Sequence, residues 1–439
     1  MNPALENMLN QLLSITRANK TPLFLVGGAV RDLFLHRDSS DYDFTGPNVL
    51  RTAKEFANKH HYPLVKLDKT PGRETFRIIG PKQYSFDFTT LQGNSIQEDL
   101  LRRDFTVNAM AVPAESCLHP QPVCVDPCKG QVDLKQKIIR VVSTETFIED
   151  PLRVLRAFRF SAQLDFKIEP ATIKQIRGHA SRMKEVAVER IFYELKQFLN
   201  AQKPSTYFPD FCDCGLLKII FPASDVHQNK IKKTLDLLDA CIDNPSHYFG
   251  TSVNVASEIS ENAILLRLSA ILYPAHAREK LPAVEVLQRL KASNAEINWV
   301  SSSLQAGIYS VDNLSGITAT NEQGKQIYAF AKATYPHTLT GLTLACSTNP
   351  DWAQAHQKHI QQIARYYIET YLPARHSPVL LNGTDLIDKF KMQPGPHFKI
   401  ILDKIEDARM LGEIATPEQA LELAKTLREH LPEQTDGVL

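Results

Sequence analysis

Residues 23–44 read LFLVGGAVRDLFLHRDSSDYDF: four apolar residues, two glycines, a stretch with helical spacing, then Asp, aromatic, Asp, aromatic. Few folds accommodate that order. The apolar run that stops at Gly27 and Gly28 reads as a strand and a tight turn, AVRDLFL as a helix, and the period-two alternation from Asp41 to Phe44 as a second strand. Residues i and i+2 of a strand share a face with Cα atoms about 6.5 Å apart, so Asp41 and Asp43 converge. Two carboxylates held together repel unless a cation lies between them, and a hard Mg2+ ion with phosphate oxygens as further ligands suits such a pair. Gly27 and Gly28 let the backbone approach an anion closely, and Arg31 adds a fork of donors one turn into the helix. Singly, each feature is also an ordinary turn or a solvated strand end; their order and spacing point to a metal and a triphosphate. A third acid would complete a two-metal centre. YSFDFTTL supplies Asp87, flanked by aromatics, and its other reading is an edge-strand aspartate facing water.

Strand patterns continue at 74–79 and 84–90 after a helix-like stretch at 48–60, which makes residues 1 to about 145 a mixed α and β domain. From about 146 the periodicity is helical nearly throughout, as in EDPLRVLRAFRFSAQL and AVERIFYELKQFLN. A chain of 439 residues exceeds one compact core, and breaks are expected where proline and small polar residues cluster, at 201–210 and 371–383. Ordinary composition, 43% hydrophobic and 23% charged, indicates packed cores. The seven cysteines form no CxxC pair, which argues against a disulfide framework or a structural metal and for a reducing, cytoplasmic setting. MNPALENMLNQLLSITRANKT has an acid at position 6 and helical apolar spacing, unlike a signal peptide, and no run reaches the roughly 20 apolar residues of a membrane span. Fifty basic against forty-nine acidic residues give a net charge of +1, so any surface for RNA must be local.

Five motifs stand in a specific order: VGGAVRD with DYDF, EDLLRRDFTVNAMA (98–111), DPCKGQVDLKQKIIRVV (126–142), EDPLRVLRAFRF (149–160) and ERIFYEL (189–195). Together they closely resemble the bacterial class II tRNA nucleotidyltransferases and related poly(A) polymerases of the DNA polymerase β-like superfamily. The resemblance implies an α+β fold, a mixed-sheet catalytic head at 1–145 followed by an all-helical neck (146–205), body (206–372) and tail (373–439). It also implies template-independent addition of CMP and AMP, from CTP and ATP, to the 3′ end of tRNA. By resemblance Asp41 and Asp43 are the Mg2+ ligands, Gly27, Gly28 and Arg31 contact the nucleotide phosphates, Arg103 contacts the nucleotide, and Asp104 and Asn108 lie near the ribose. Asp150 and Arg153 match the residues that read the base edge. A carboxylate accepts from the exocyclic amine of cytosine or adenine, which uracil and guanine do not present in the same place.

Arg153, Arg156 and Arg159 recur every three residues along one side of a helix and can all face a phosphate-rich site. On that helix alone, Asp150 is equally an N-cap before Pro151. Arg102 and Arg103 could likewise pair with Glu98 and Asp99 while Phe105, Val107 and Met110 pack a core. Glu189 and Arg190 read as braces of the neck. The expected RNA contacts are NKIKK (229–233) and Lys389, Lys391, Lys399 and Lys404, each also readable as a solvated helix face.

Two departures from the family pattern stand out. LLRLSAILYPAH (265–276) carries Tyr273 and Pro274 where a phosphohydrolase would need a His-Asp pair, so no such activity is expected. The basic loop of full CCA-adding members has no clear counterpart, with TPGRETFR (70–77) as a shortened form, which leaves CC-adding and A-adding enzymes as alternatives beside a poly(A) polymerase, a small-molecule nucleotidyltransferase and a silent RNA-binding relative.

Overall fold

The computed structural model describes residues 3–68, 74–81, 84–251, 254–279, 283–317 and 322–430. The first half of TPGRETFR (70–73) thus lies outside the described residues. The chain divides into two compact units, 1–225 and 226–439.

In the first unit, strands β1 (Phe24–Val26), β2 (Asp41–Gly46), β3 (Leu64–Asp68), β4 (Thr75–Ile79), β5 (Ser85–Thr90) and β6 (Ala111–Pro113) form a mixed sheet in the order β3-β4-β5-β2-β1-β6. Only β2 and β5 run parallel, with Asp43 opposite Asp87. Because side chains alternate along each strand, this register separates two faces. One carries Asp41, Asp43, Asp87 and, across from Asp87 on β4, Arg77. The other carries Tyr42, Phe44, Phe86 and Phe88, whose rings stack with centroids 5.6–6.5 Å apart. Phe56 of a helix (Val49–His60) closes on that aromatic face, 5.5 Å from the Phe86 ring. Burying each such ring contributes about 1.5–3 kcal/mol, so the aromatic face anchors the strands while leaving the polar face to the site. The N-terminal amphipathic stretch is the helix Pro3–Asn19, packed on Val49–His60.

β5 lies inside the sheet between β4 and β2, and Asp87 is 9% exposed, so the reading of Asp87 as a water-facing edge aspartate is wrong. Periodicity shows which face a residue takes but not which strands flank it.

The segment 98–142 wraps back on the sheet. Asp126 caps the helix Gly130–Gln136 through the backbone N–H groups of Gly130 and Gln131, at 2.6 and 3.0 Å. A Cβ on Gly130 would stand 2.2 Å from the carbonyl oxygen of Thr106, so only glycine allows this approach. Buried Asp133 accepts from Thr106 Oγ1 at 2.7 Å and from Arg140 at 3.0 Å. DPCKGQVDLKQKIIRVV therefore clamps RRDFTVN from behind. The helices Arg153–Leu164 and Val188–Leu199 pack together, with Phe158, Phe198 and Phe211 in mutual ring contact.

Every secondary-structure element among the described residues of the second unit is a helix. Its core includes a buried ion pair, Arg267 Nε to Asp239 Oδ1 at 2.7 Å, and a close crossing where Gly341 faces Ala306 and Gly307. The helices Gly383–Phe390, Pro396–Met410 and Pro417–Glu429 share a small core of Leu386, Ile401, Ile405, Ala420 and Ala424. Lys232, Lys233, Lys389, Lys391, Lys399 and Lys404 are exposed. No helix among the described residues is long and apolar enough to cross a membrane.

Candidate active site

The polar face of the sheet opens into a cleft of about 610 Å³ lined by every residue the sequence pointed to for catalysis or nucleotide binding except Asp87. Its wall carries six arginines and four aspartates, a local excess of positive charge that the net charge of the chain conceals. Gly27 and Gly28 form the turn between β1 and the helix Gly28–Phe34. Gly27 has φ +70°, a left-handed conformation that favours glycine, and a Cβ there would stand 3.1 Å from Arg103 Nη1, so the arginine tip would have to give way slightly.

On the carboxylate side, Asp41 Oδ1 accepts from Ser85 Oγ at 2.7 Å and Oδ2 from Ser40 Oγ at 2.9 Å. The Asp43 carboxyl is pushed up to about 6, first by burial and then by the Asp87 charge; Arg103 opposes and Asp41 adds to the rise. Asp87 itself is held by Arg77, whose Nε and Nη2 donate to its two oxygens at 2.8 and 2.7 Å. Among the described residues no cluster of three or more His, Cys, Asp or Glu side chains could hold a metal ion. Asp41 and Asp43 both line the cleft, and such a pair would fit Mg2+, an ion that takes one or two carboxylates and completes its shell from water and substrate phosphates.

A raised carboxyl pKa has a definite consequence for stability. The contribution of Asp43 is complete below its ordinary value of 3.8 and is lost as pH rises through about 6. The stability of the metal-free Asp43→Asn protein relative to the native chain is therefore expected to increase between pH 4 and pH 7. Chemical denaturation at both pH values checks this, and a difference independent of pH would contradict it.

On the arginine side, a connected network links four motifs. Arg31 donates to Asp32 at 2.9 and 3.1 Å and to Asn108 Oδ1 at 2.9 Å. Asn108 donates to Asp104, 6% exposed, which also accepts from the Phe105 backbone N–H at 2.8 Å and from Arg156 at 2.6 and 2.9 Å. Burial works to raise the Asp104 carboxyl, but Arg156 and these hydrogen bonds outweigh it and hold the group below the usual range. Buried Glu194 lies 3.1 Å from Arg159 and 3.6 Å from Arg156. The Phe160 ring stands under three guanidinium groups, those of Arg159 at 4.3 Å, Arg156 at 5.2 Å and Arg31 at 5.6 Å.

Arg103 and Asp150 each make the structural contact open to them and also line the cleft. Arg103 lines the cleft and pairs with Asp99 at 3.0 Å. Asp150 lines the cleft, caps the backbone N–H of Leu152 at 3.1 Å and pairs with Arg190 at 2.9 Å. Arg153 donates to Glu149, to Thr146 O and to Arg102 O. Sequence reasoning missed Phe160, Glu194, Arg77 and the partnership of Arg190. Only the first had a local signal, since Arg156 and Phe160 lie four apart on one helix.

Comparison with known proteins bears on this geometry. Residues 23–140 match the family described as Poly A polymerase head domain, 165–227 the probable RNA and SrmB-binding site of polymerase A, and 269–424 the tRNA nucleotidyltransferase domain 2. A CC-adding tRNA nucleotidyltransferase of Synechocystis sp. is 30% identical over 92% of this chain and 93% of its own. An A-adding tRNA nucleotidyltransferase of Deinococcus radiodurans is 27% identical over 93% of this chain and 96% of its own. The Thermotoga maritima CCA-adding enzyme complexed with tRNA shares the fold with a TM-score of 0.69, at 23% identity over 97% of this chain and 96% of that one. The chain belongs to the enzyme family of tRNA nucleotidyltransferases and poly(A) polymerases.

Proposed function

We propose that the protein adds CMP and AMP, from CTP and ATP, to the 3′ end of tRNA without a nucleic-acid template. The terminal 3′-hydroxyl bonds to the α-phosphorus and the bond to pyrophosphate breaks. The observation that carries this reading is one cleft joining Asp41 and Asp43 to Asp150 and six arginines, in a chain aligned over 93% of a tRNA nucleotidyltransferase.

Held by Asp41 and Asp43, Mg2+ would lower the pKa of the attacking hydroxyl and neutralise charge on the triphosphate. Ser85 and Ser40 orient Asp41 for that task. Arg77, by holding both oxygens of Asp87, keeps the third acid as a source of negative field rather than a ligand. Gly27, Gly28, Arg31 and Arg103 cradle the triphosphate, and Arg156 and Arg159, aimed by Asp104, Glu194 and Phe160, complete the positive wall. With its carboxylate committed to Arg156, Asn108 and Phe105, Asp104 serves as a positioning residue, and Asn108 lies nearer the ribose.

Asp150 accepts from the exocyclic amine of cytosine or adenine. Arg153, with three hydrogen bonds made out of five donors, keeps two for the ring acceptors of the base. The helical neck, body and tail (146–205, 206–372 and 373–439) hold the acceptor arm in the cytoplasm through scattered exposed lysines such as Lys232, Lys389 and Lys404. CC-adding and A-adding specificities use the same chemistry, and relatives of both names align over nearly the whole chain.

The test offers each labelled triphosphate singly, with Mg2+, to tRNA ending at the discriminator base, at C and at CC. Incorporation from CTP or ATP and none from UTP or GTP is expected. Equal use of all four would remove Asp150 and Arg153 as readers of the base.

A further inference from the structure

Asp150 stands between two cavities. One is the cleft it shares with Asp43 and Arg103; the other is a second recess whose lining includes Arg182, Val186 and Arg190. Arg190 lines only the second, and from there its Nη2 donates to Asp150 Oδ2 at 2.9 Å. The backbone N–H of Leu152 donates to the other oxygen, Oδ1, at 3.1 Å. A carboxylate oxygen has two lone pairs, so each oxygen is tethered and each retains an acceptor site. Donors on both oxygens fix the rotation of the carboxylate about its terminal bond, a torsion that is otherwise broad.

Stability does not account for the pair. Its side chains are 55% and 30% exposed, and exposed ion pairs add little to folding. Arg190 comes from the helix Val188–Leu199, forty residues beyond Asp150, and is placed there by the packing of two helices rather than by local geometry.

We propose that Arg190 is a positioning residue for base selection. Reaching Asp150 from the second recess, it holds the carboxylate at the angle where its remaining lone pairs meet the exocyclic amine of cytosine or adenine. The inference rests on the proposed function, in which Asp150 reads that amine; Arg190 itself does not touch the nucleotide. Loss of Arg190 lets the carboxylate rotate, weakening the match to the correct bases while leaving the already mismatched ones much as they were.

The test measures kcat/KM for CTP, ATP, UTP and GTP in single additions to tRNA by the native chain, Arg190→Met and Arg190→Lys. Arg190→Met is expected to lose about tenfold for CTP and ATP, chiefly in KM, with UTP and GTP within about twofold, so that selectivity falls about tenfold. Arg190→Lys keeps a cation without the planar fork and is expected to fall between; should the methionine variant fail to fold, the lysine variant carries the comparison. An equal loss for all four nucleotides would make Arg190 a brace of the helix and overturn the inference, as would unchanged selectivity. If the native chain adds neither CMP nor AMP to tRNA, the underlying reading falls and takes the inference with it. If the native chain selects and both variants select equally well, only the inference falls.

Discussion

Changing Asp43 to asparagine is expected to lower nucleotide transfer by about a thousandfold or more, with tRNA affinity held within about twofold. A metal-bound transition state gains several kcal/mol from charge stabilisation, and each 1.36 kcal/mol is about tenfold in rate. Asparagine keeps the shape and removes the charge that would retain the cation. The same change removes the cost of burying the Asp43 charge and its crowding by Asp87 and Asp41, so the variant is expected to be more stable than the metal-free native protein near neutral pH even as it loses activity. Opposite signs for stability and rate mark a residue strained for function. Single-turnover rates and filter-binding affinities at saturating Mg2+ check the first part. A rate within tenfold of native would mean that Asp43 is not a metal ligand.

The second large effect is expected at Asp104. Asp104→Ala removes the nearer partner of Arg156 and leaves it Glu194 at 3.6 Å, and it frees Asn108 and the Phe105 N–H. Breaking a buried pair from one side costs about 3–5 kcal/mol. The Arg156 side chain is 32% exposed, so water recovers some of this and the lower end is expected. The Asp104 carboxyl is held low, so its stabilisation is complete above the ordinary carboxyl range and is lost as pH falls through the lowered value. Urea denaturation of native and Asp104→Ala chains at pH 7 and pH 3 reads both effects. A loss below about 1 kcal/mol at pH 7 would show that Glu194 alone suffices for Arg156 and that the network is not held through Asp104. Nucleotide KM is expected to rise in the same variant, since Arg156 lines the cleft.

How far the site could be read from the sequence follows the range of the interactions. Alternation in DYDF and SFDF correctly assigned carboxylates to one face and aromatics to the other, because strand periodicity is local. Gly27 and Gly28 announced a turn for the same reason, and the pairing of Arg103 with Asp99 was legible as an i,i+4 contact. Asp87 was different. Its face was readable, but its burial and its capture by Arg77 depend on β5 lying between β4 and β2, which no local pattern specifies. The grip of Arg190 on Asp150 and of Glu194 on Arg159 depends on the crossing of two helices, and nothing in ERIFYEL distinguishes a brace from a positioning contact. The strand β3 went unread because four of its five residues are exposed, which leaves no alternation to see. The family resemblance named the cleft residues together before the geometry did, and the geometry adds that Asp104 is held by Arg156, Asn108 and the Phe105 N–H and Asp87 by Arg77.

The central claim, template-independent extension of tRNA, is tested most directly with purified protein, Mg2+ and three tRNA substrates, ending at the discriminator base, at C and at CC, each supplied with labelled CTP and ATP together. The account predicts extension on at least one of them that stops at or before CCA and does not continue. Extension of all three to CCA would identify a complete enzyme; arrest at CC, or action on the CC end alone, would identify a partial specificity within the same chemistry. No incorporation on any of the three, with long adenylate tails on unrelated RNA, would contradict the account and leave a poly(A) polymerase in its place.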